Sequence, residues 1–195
     1  CHRAGARLIA ISTDYVFDGT LDRPYHEWDA ANPATVYGKT KWAGEEAIRA
    51  HCPDHAILRT AWLYGPGGPS FVHTMLKLGR QDGEPLKVVD DQVGNPTSTD
   101  ALAEAIETVL AAPVVGTFHA TCEGEATWYD FAQEIFRQAD LPRAIVPCIS
   151  AEFPRPAPRP ANSRPVKRAF RLHGLSPMKD WKQTFNDFLA REPAE

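Results

Sequence analysis

Residues 7–12 read Arg-Leu-Ile-Ala-Ile-Ser, a short apolar run with no polar alternation. A run of this kind suits a strand buried on both faces, and such strands belong to parallel sheets covered by helices. Further strand signals follow at residues 56–60, 86–89, 117–121 and 145–149. Helical segments separate most of them. Strands alternating with helices of 10–15 residues specify βαβ units and a parallel sheet, so the chain is expected to be α/β.

The helix signals are mostly local. Asn32-Pro33 reads as a cap followed by proline at the first helical position, with the helix running to about Ala50 and ended by Pro53-Asp54. Ser70 caps a helix to about Leu78, and residues 100–112 form an Ala/Leu/Glu helix. Thr127, with Asp130 three residues on, is a capping-box variant opening a helix to about Ala139. Ser176-Pro177 starts the last helix, where Trp181, Phe185, Phe188 and Leu189 share a face. Asp18-Gly19 is a turn signal, and Gly65-Pro66-Gly67-Gly68 reads as a plain turn. The stretch holding Pro154, Pro156, Pro158, Pro160 and Pro165 is either a flexible linker or a rigid loop over a site.

Composition narrows the function classes. No apolar run approaches the ~18 residues needed to span a bilayer. The start, Cys1-His2-Arg3-Ala4-Gly5, has no apolar signal-peptide region and no initiator Met, so position 1 need not be the native start. The net charge of −4 comes with no long basic run, which argues against nucleic acid or an anionic membrane as partner. Cys1, Cys52, Cys122 and Cys148 include no Cys-x-x-Cys pair and are expected as reduced, mostly buried thiols of a cytosolic protein. His51, Cys52 and His55 fit no standard zinc spacing, and no metal ligands are assigned.

One pair of residues carries chemistry. Tyr37 and Lys41 lie at i and i+4 on the first predicted helix, on one face and one turn apart. An ammonium near a phenol favours the phenolate, and a phenol so placed can hand its proton to a carbonyl oxygen as hydride reaches the carbon. The strand at residues 7–12 ends beside Thr13, and the sites of such sheets lie at strand carboxyl ends. Thr13 can offer its hydroxyl to the same carbonyl. A hydroxyl, a phenol and an ammonium converging there make a carbonyl-polarising site.

The string Ser12-Thr13-Asp14-Tyr15-Val16-Phe17-Asp18-Gly19, followed by Tyr37-Gly38-Lys39-Thr40-Lys41, resembles the extended short-chain dehydrogenase/reductase superfamily. Within it the chain is most similar to the dTDP-4-dehydrorhamnose reductases. Arg59-Thr60-Ala61-Trp62-Leu63-Tyr64-Gly65, Asp91-Gln92-Val93-Gly94-Asn95-Pro96-Thr97, Arg159-Pro160-Ala161-Asn162-Ser163 and Leu175-Ser176-Pro177 with Trp181 resemble later motifs of that family, in order. The third of these, Arg159 to Ser163, favours an ordered loop in the proline-dense stretch. The resemblance implies the second half of a Rossmann-type doubly wound parallel sheet plus a smaller α/β substrate-binding lobe. Residues 1–62 and 98–122 fall to the NAD(P)-binding domain, residues 63–97 and 123–195 to the sugar-nucleotide lobe. It implies that Tyr37 is the general acid, that Lys41 favours its phenolate and binds the nicotinamide ribose, and that Thr13 hydrogen-bonds the reacting carbonyl. Thr13, Asp14, Tyr15 and Trp62 take the substrate positions, Trp62 as an apolar wall for the deoxysugar. The implied reaction is hydride transfer from NADPH or NADH to the 4-keto group of a dTDP-4-keto-6-deoxyhexose, giving dTDP-L-rhamnose, in a monomer or homodimer; Mg2+ receives no ligand set.

The chain departs from that family at its front. No Gly-x-Gly-x-x-Gly occurs in it, and three βα units, about 90 residues or more, are expected ahead of Arg7. Those residues would hold the pyrophosphate and choose between NADPH and NADH. The strand at Arg7 is then expected to present an open apolar edge, and the 195-residue chain to bind NADPH poorly and turn over little. A non-catalytic binding subunit, similar to the regulatory subunit of methionine adenosyltransferase, is the rival reading. Sugar-nucleotide dehydratases typically carry Thr-Asp-Glu where this chain has Thr13-Asp14-Tyr15. The 4-epimerases carry Val-Tyr-Gly where it has Val16-Phe17-Asp18.

Overall fold

The computed structural model describes residues 1–153, 157 and 159–191. Pro154, Pro156 and Pro158 of the proline-dense stretch lie outside the described residues.

Three parallel strands form the main sheet. They are β1 (Leu8–Thr13), β2 (His55–Thr60) and the later β7 (Gly116–His119), in the order β1-β2-β7. Leu8 pairs with His55 and Thr13 with Thr60, so β1 and β2 end level. Ala56 pairs with Gly116 and Arg59 with His119. The central strand β2 is buried at all six positions, as a strand covered on both faces must be. Among the described residues β1 has one neighbour, and Leu8 to Ile11 are only half-buried. The Arg7 guanidinium anchors the start of β1 by donating to the carbonyls of Ala112, at 2.5 Å, and Val114.

Helix α1 (Val36–His51) crosses from β1 to β2. Its cap is Thr35, whose hydroxyl accepts the Gly38 N–H at 3.0 Å, and not Asn32. Asn32 is drawn away by tertiary partners: its amide donates to Asp18 at 2.8 Å and its N–H to the Val16 carbonyl at 2.9 Å.

After β2 come β3 (Leu63–Tyr64), α2 (Phe71–Gly79), β4 (Leu86–Val89), β5 (Val93–Gly94), β6 (Thr97–Ser98) and α3 (Thr99–Ala111). Ser70 and Ser98 cap the two helices. Past β7 lie β8 (Ala126–Thr127), α4 (Trp128–Gln138), β9 (Ile145–Cys148), β10 (Asn162–Ser163), α5 (Arg168–Leu172) and α6 (Trp181–Leu189). The short strands pair in small sheets of their own: β3 with β6, β4 with β9, and β10-β5-β8. The strand predicted at residues 145–149 therefore pairs with β4, apart from the three-stranded sheet.

The capping box of α4 is complete, Thr127 accepting from Asp130 N and Asp130 accepting from Thr127 N. The last helix starts later than Ser176-Pro177 suggests, at Trp181 with Asp180 as cap. Residues 179–181 are held in a bridge to Glu123, through Glu123 N to the Lys179 carbonyl and Trp181 N to the Glu123 carbonyl, both 3.0 Å. That pairing keeps the chain extended where local signals alone would begin the helix. Trp181, Phe185 and Phe188 then bury one face of α6 against Tyr64 and Phe131. One continuous apolar core joins β2 and β7 through α2, α3 and α4 to α6. Cys52, Cys122 and Cys148 are buried and Cys1 is exposed.

A buried ion pair locks α1 to the sheet. Arg59 of β2 donates Nε to Glu45 Oε1 at 3.0 Å and a terminal N–H to Oε2 at 2.7 Å, both side chains being 2% exposed. Ser12 and Arg49 also donate to this carboxylate, at 2.5 and 2.7 Å. Burial by itself would raise the Glu45 carboxyl; the Arg59 and Ser12 contacts outweigh it and hold the group below its ordinary range. No helix among the described residues is long and apolar enough to cross a membrane.

Candidate active site

The site forms at the carboxyl end of β1. Thr13 is the last strand residue, and its hydroxyl accepts the Tyr15 N–H at 3.3 Å, capping a one-turn 3-10 helix over Asp14–Val16. The same hydroxyl donates to Asp14 Oδ1 at 2.9 Å, and Ser163 of β10 donates to Asp14 Oδ2. Asp14 is buried with no cation against it among the described residues, and burial pushes its carboxyl up to about 6 despite the two hydroxyl bonds. The Tyr15 phenol is raised as well, first by burial and then by the nearby Asp14 charge.

Helix α1 rests directly on this turn. A Cβ added at Gly38 would lie 2.1 Å from the Tyr15 carbonyl oxygen, so only glycine permits the approach. Position 37 is thereby placed beside Tyr15, and the two rings meet edge to face at 5.6 Å. Tyr37 is 54% exposed, and its hydroxyl makes no hydrogen bond among the described residues. One turn on, the Lys41 ammonium donates to the Ile11 carbonyl of β1 at 2.6 Å. The structure thus gathers Thr13, Tyr15, Tyr37 and Lys41 at one strand end.

Trp62 lies just beyond the level end of β2, with a left-handed φ of 48°. Its indole is stacked on Trp128 at 3.6 Å and 6°. Its other face is covered too. A Cβ at Gly94 would lie 2.5 Å from Trp62 Cε2 and slightly farther from Nε1 and Cζ2, the distance pattern of an approach from above the ring. Trp62 therefore turns only its edge to the neighbouring cavities. Trp128 continues the stack, with Arg159 over it at 5.6 Å and its Nε1–H donated to Gln92 at 3.1 Å.

This aromatic wall borders two cavities. The smaller, about 180 Å³, is lined by Tyr15, Trp62, Gln92, Trp128, Arg159 and Ser163, with Pro160 at its rim. It adjoins the Thr13–Asp14 corner through Tyr15 and Ser163. The larger, about 770 Å³, shares Trp62, Gln92, Trp128 and Arg159 and extends over apolar residues such as Phe71 and Leu86. Trp128, Gln92 and Ser163 went unassigned from sequence. Trp128 follows a helix cap, a place where an aromatic looks like any first-turn residue, and only its stacking partner marks it.

The sequence profile of the RmlD substrate binding domain matches residues 1–193. The chain belongs to this family. The RmlD-type relatives include a probable dTDP-4,6-dihydroxy-2-methyloxan-3-one 4-ketoreductase of Streptomyces antibioticus, 46% identical over 95% of this chain. They also include a dTDP-4-dehydrorhamnose reductase of Mycobacterium tuberculosis, 42% identical over 97% of it. The chain spans 64% of the length of each of these relatives. The solved dTDP-4-dehydrorhamnose reductase of Bacillus anthracis, in complex with NADP, superposes with a TM-score of 0.93 at 35% identity. That match covers 98% of this chain and 68% of the other. The mixed α/β fold with a parallel sheet is thus that of RmlD-type reductases.

Proposed function

We propose that this chain carries the substrate-binding and proton-donating part of an NAD(P)H-dependent reductase. The reaction is reduction of the 4-keto group of dTDP-4-dehydro-L-rhamnose to dTDP-L-rhamnose. The observation that supports it most is the convergence of Thr13, Tyr37 and Lys41 at the end of β1, next to two cavities that share one wall. In this reading residues 1–62 and 98–122 belong to the cofactor-binding domain, and residues 63–97 and 123–195 to the sugar-nucleotide lobe. The enzyme works in the cytoplasm as a monomer or homodimer.

The residues present fit the nicotinamide end of such a cofactor. Tyr37 is exposed, and its hydroxyl makes no hydrogen bond among the described residues. Lys41 has three N–H donors and commits one to Ile11, leaving two for ribose hydroxyls. The cofactor, when bound, supplies hydride. Tyr37 gives its proton to the carbonyl oxygen as charge develops there, and Thr13 orients that oxygen. The larger cavity takes the nucleoside against Phe71 and Leu86, Arg159 lies where a diphosphate would pass, and the smaller cavity takes the hexose.

The test is keto-sugar-dependent oxidation of NADPH, by the chain alone and within a protein of the relatives' full length. Tyr37→Phe is expected to lower turnover by about 10²-fold or more, the loss of a general acid. An unchanged rate would sink the assignment. A second reading, 4-ketoreduction of a different dTDP-deoxysugar, draws on the 46% identity to the Streptomyces antibioticus protein. Rates on the two keto-sugars compared side by side separate them.

A further inference from the structure

Thr13 has one hydroxyl hydrogen, and the fold has already committed it. The hydroxyl donates to Asp14 Oδ1 at 2.9 Å and accepts from Tyr15 N at 3.3 Å. A keto oxygen accepts hydrogen bonds and donates none, so it can reach Thr13 only through that same hydrogen. An ionised Asp14 and a substrate carbonyl therefore compete for one proton donor. A protonated Asp14 does not compete: its own O–H can donate to the Thr13 oxygen, which releases the Thr13 hydrogen outward.

We propose that Asp14 is a positioning residue that acts through Thr13. Its proton decides whether the Thr13 hydroxyl turns toward the buried carboxyl or toward the substrate carbonyl, and Ser163 sets how firmly that proton is held. The proposal rests on the reductase reading above. It gives β10 a part in the chemistry, because Ser163 ties the far lobe to the catalytic corner through the second carboxylate oxygen. Nothing is transferred to product from Asp14; Tyr37 still supplies the proton that the alcohol keeps.

The surroundings suit such a device. Asp14 is 6% exposed, so its protonation state is set by the groups packed against it. Tyr15 shares its turn, Tyr37 and Lys41 face the corner from α1, and Arg159 and Arg164 flank β10. Apart from the Tyr15 backbone N–H, none of these is hydrogen-bonded or ion-paired to the Asp14 carboxylate among the described residues. Lys41 is engaged by Ile11, Arg164 by Asn162 and the Asp22 carbonyl, and Arg159 lies over Trp128. With two hydroxyls and backbone N–H groups as partners, and no cation among the described residues, burial pushes the carboxyl up to about 6, within reach of ordinary working conditions.

The experiment has two arms. In a protein of the relatives' full length, kcat/KM is measured against pH. The wild type is expected to lose activity as pH rises through the Asp14 titration. Ser163→Ala removes a bond that favours the carboxylate, so it should move the inflection upward by about one pH unit. Asp14→Asn should flatten that limb to less than about threefold across the same range, at reduced amplitude. Variants that lower the amplitude and leave the inflection in place would show Asp14 and Ser163 to be merely structural, and would overturn the proposal. In the second arm, carbon NMR follows the Asp14 carboxyl and the Thr13 Cβ in the 195-residue chain. A shared midpoint supports the exchange, and a Thr13 resonance that ignores the Asp14 titration overturns it. A shared midpoint in a protein that never oxidises NADPH supports the exchange and removes the reductase reading.

Discussion

A single hydrogen at position 38 holds the corner between β1 and α1 together. A methyl group there would meet the Tyr15 carbonyl, which is backbone and cannot rotate aside, so α1 would have to lift from the turn after β1. Gly38→Ala is expected to cost about 1–3 kcal/mol of stability by overpacking. It should also lower kcat/KM by roughly 10²-fold by misplacing Tyr37 relative to Thr13. Denaturant unfolding and steady-state rates on one preparation check both halves. Position 94 works similarly for the aromatic wall. Gly94→Ala should push Trp62 off Trp128, and loss of the exciton couplet of stacked indoles in the far-ultraviolet circular dichroism would report it. A retained couplet would mean that the ring has another seat. Neither role was legible in the sequence. The shared face of Tyr37 and Lys41 was, because an i, i+4 spacing fixes it before any tertiary contact forms.

At the scale of elements, the Glu45–Arg59 pair decides where α1 sits. Removing one partner strands a charge in the interior, so Glu45→Ala is expected to cost about 3–5 kcal/mol. The double change Glu45→Met with Arg59→Met should cost less than either single change, since no unpaired charge remains. Urea midpoints of the three variants measure this, and additive losses would refute the coupling. The helix ends show what local reading can and cannot do. The Thr127–Asp130 box was readable because both partners lie within one helical turn. The cap at Thr35 and the late start of α6 were not. Asn32 is recruited by Asp18, and residues 179–181 are recruited by Glu123, and both partners are distant in sequence or set by a turn.

Over the whole molecule, two buried titratable groups pull stability in opposite directions with pH. His119 donates Nδ1–H to the Val166 carbonyl at 3.0 Å, and its Nε2 has no partner among the described residues. Burial, helped by Arg59, lowers it to about 3. Its folded value lies below the unfolded one, so the unfolded chain takes up the proton first. Stability therefore falls as pH drops from about 6.5 toward 3, by on the order of 5 kcal/mol. His119→Gln should flatten that acid limb in urea titrations at several pH values; an unchanged limb would assign the acid lability elsewhere. Asp14 has the opposite sign. Its folded value is raised, so the folded state keeps a proton that the unfolded chain has lost, and stability falls as pH rises from about 4 to 6.

The sequence by itself determined the element types, the parallel sheet and the Tyr37–Lys41 face, because apolar periodicity and turn chemistry act over a few residues. It also determined the family, through motifs that keep their order along the chain. The tertiary structure alone decided that Asp14 is sealed between Thr13 and Ser163, 149 residues apart at its far bond. It likewise decided that Trp62 is clamped by Gly94 and Trp128, and that Glu45 answers Arg59 beneath the sheet. The physical reason is the same in each case. A hydrogen bond, a stacked face or a buried charge is defined by which groups exclude water together, and that set is assembled only when distant segments close over one another.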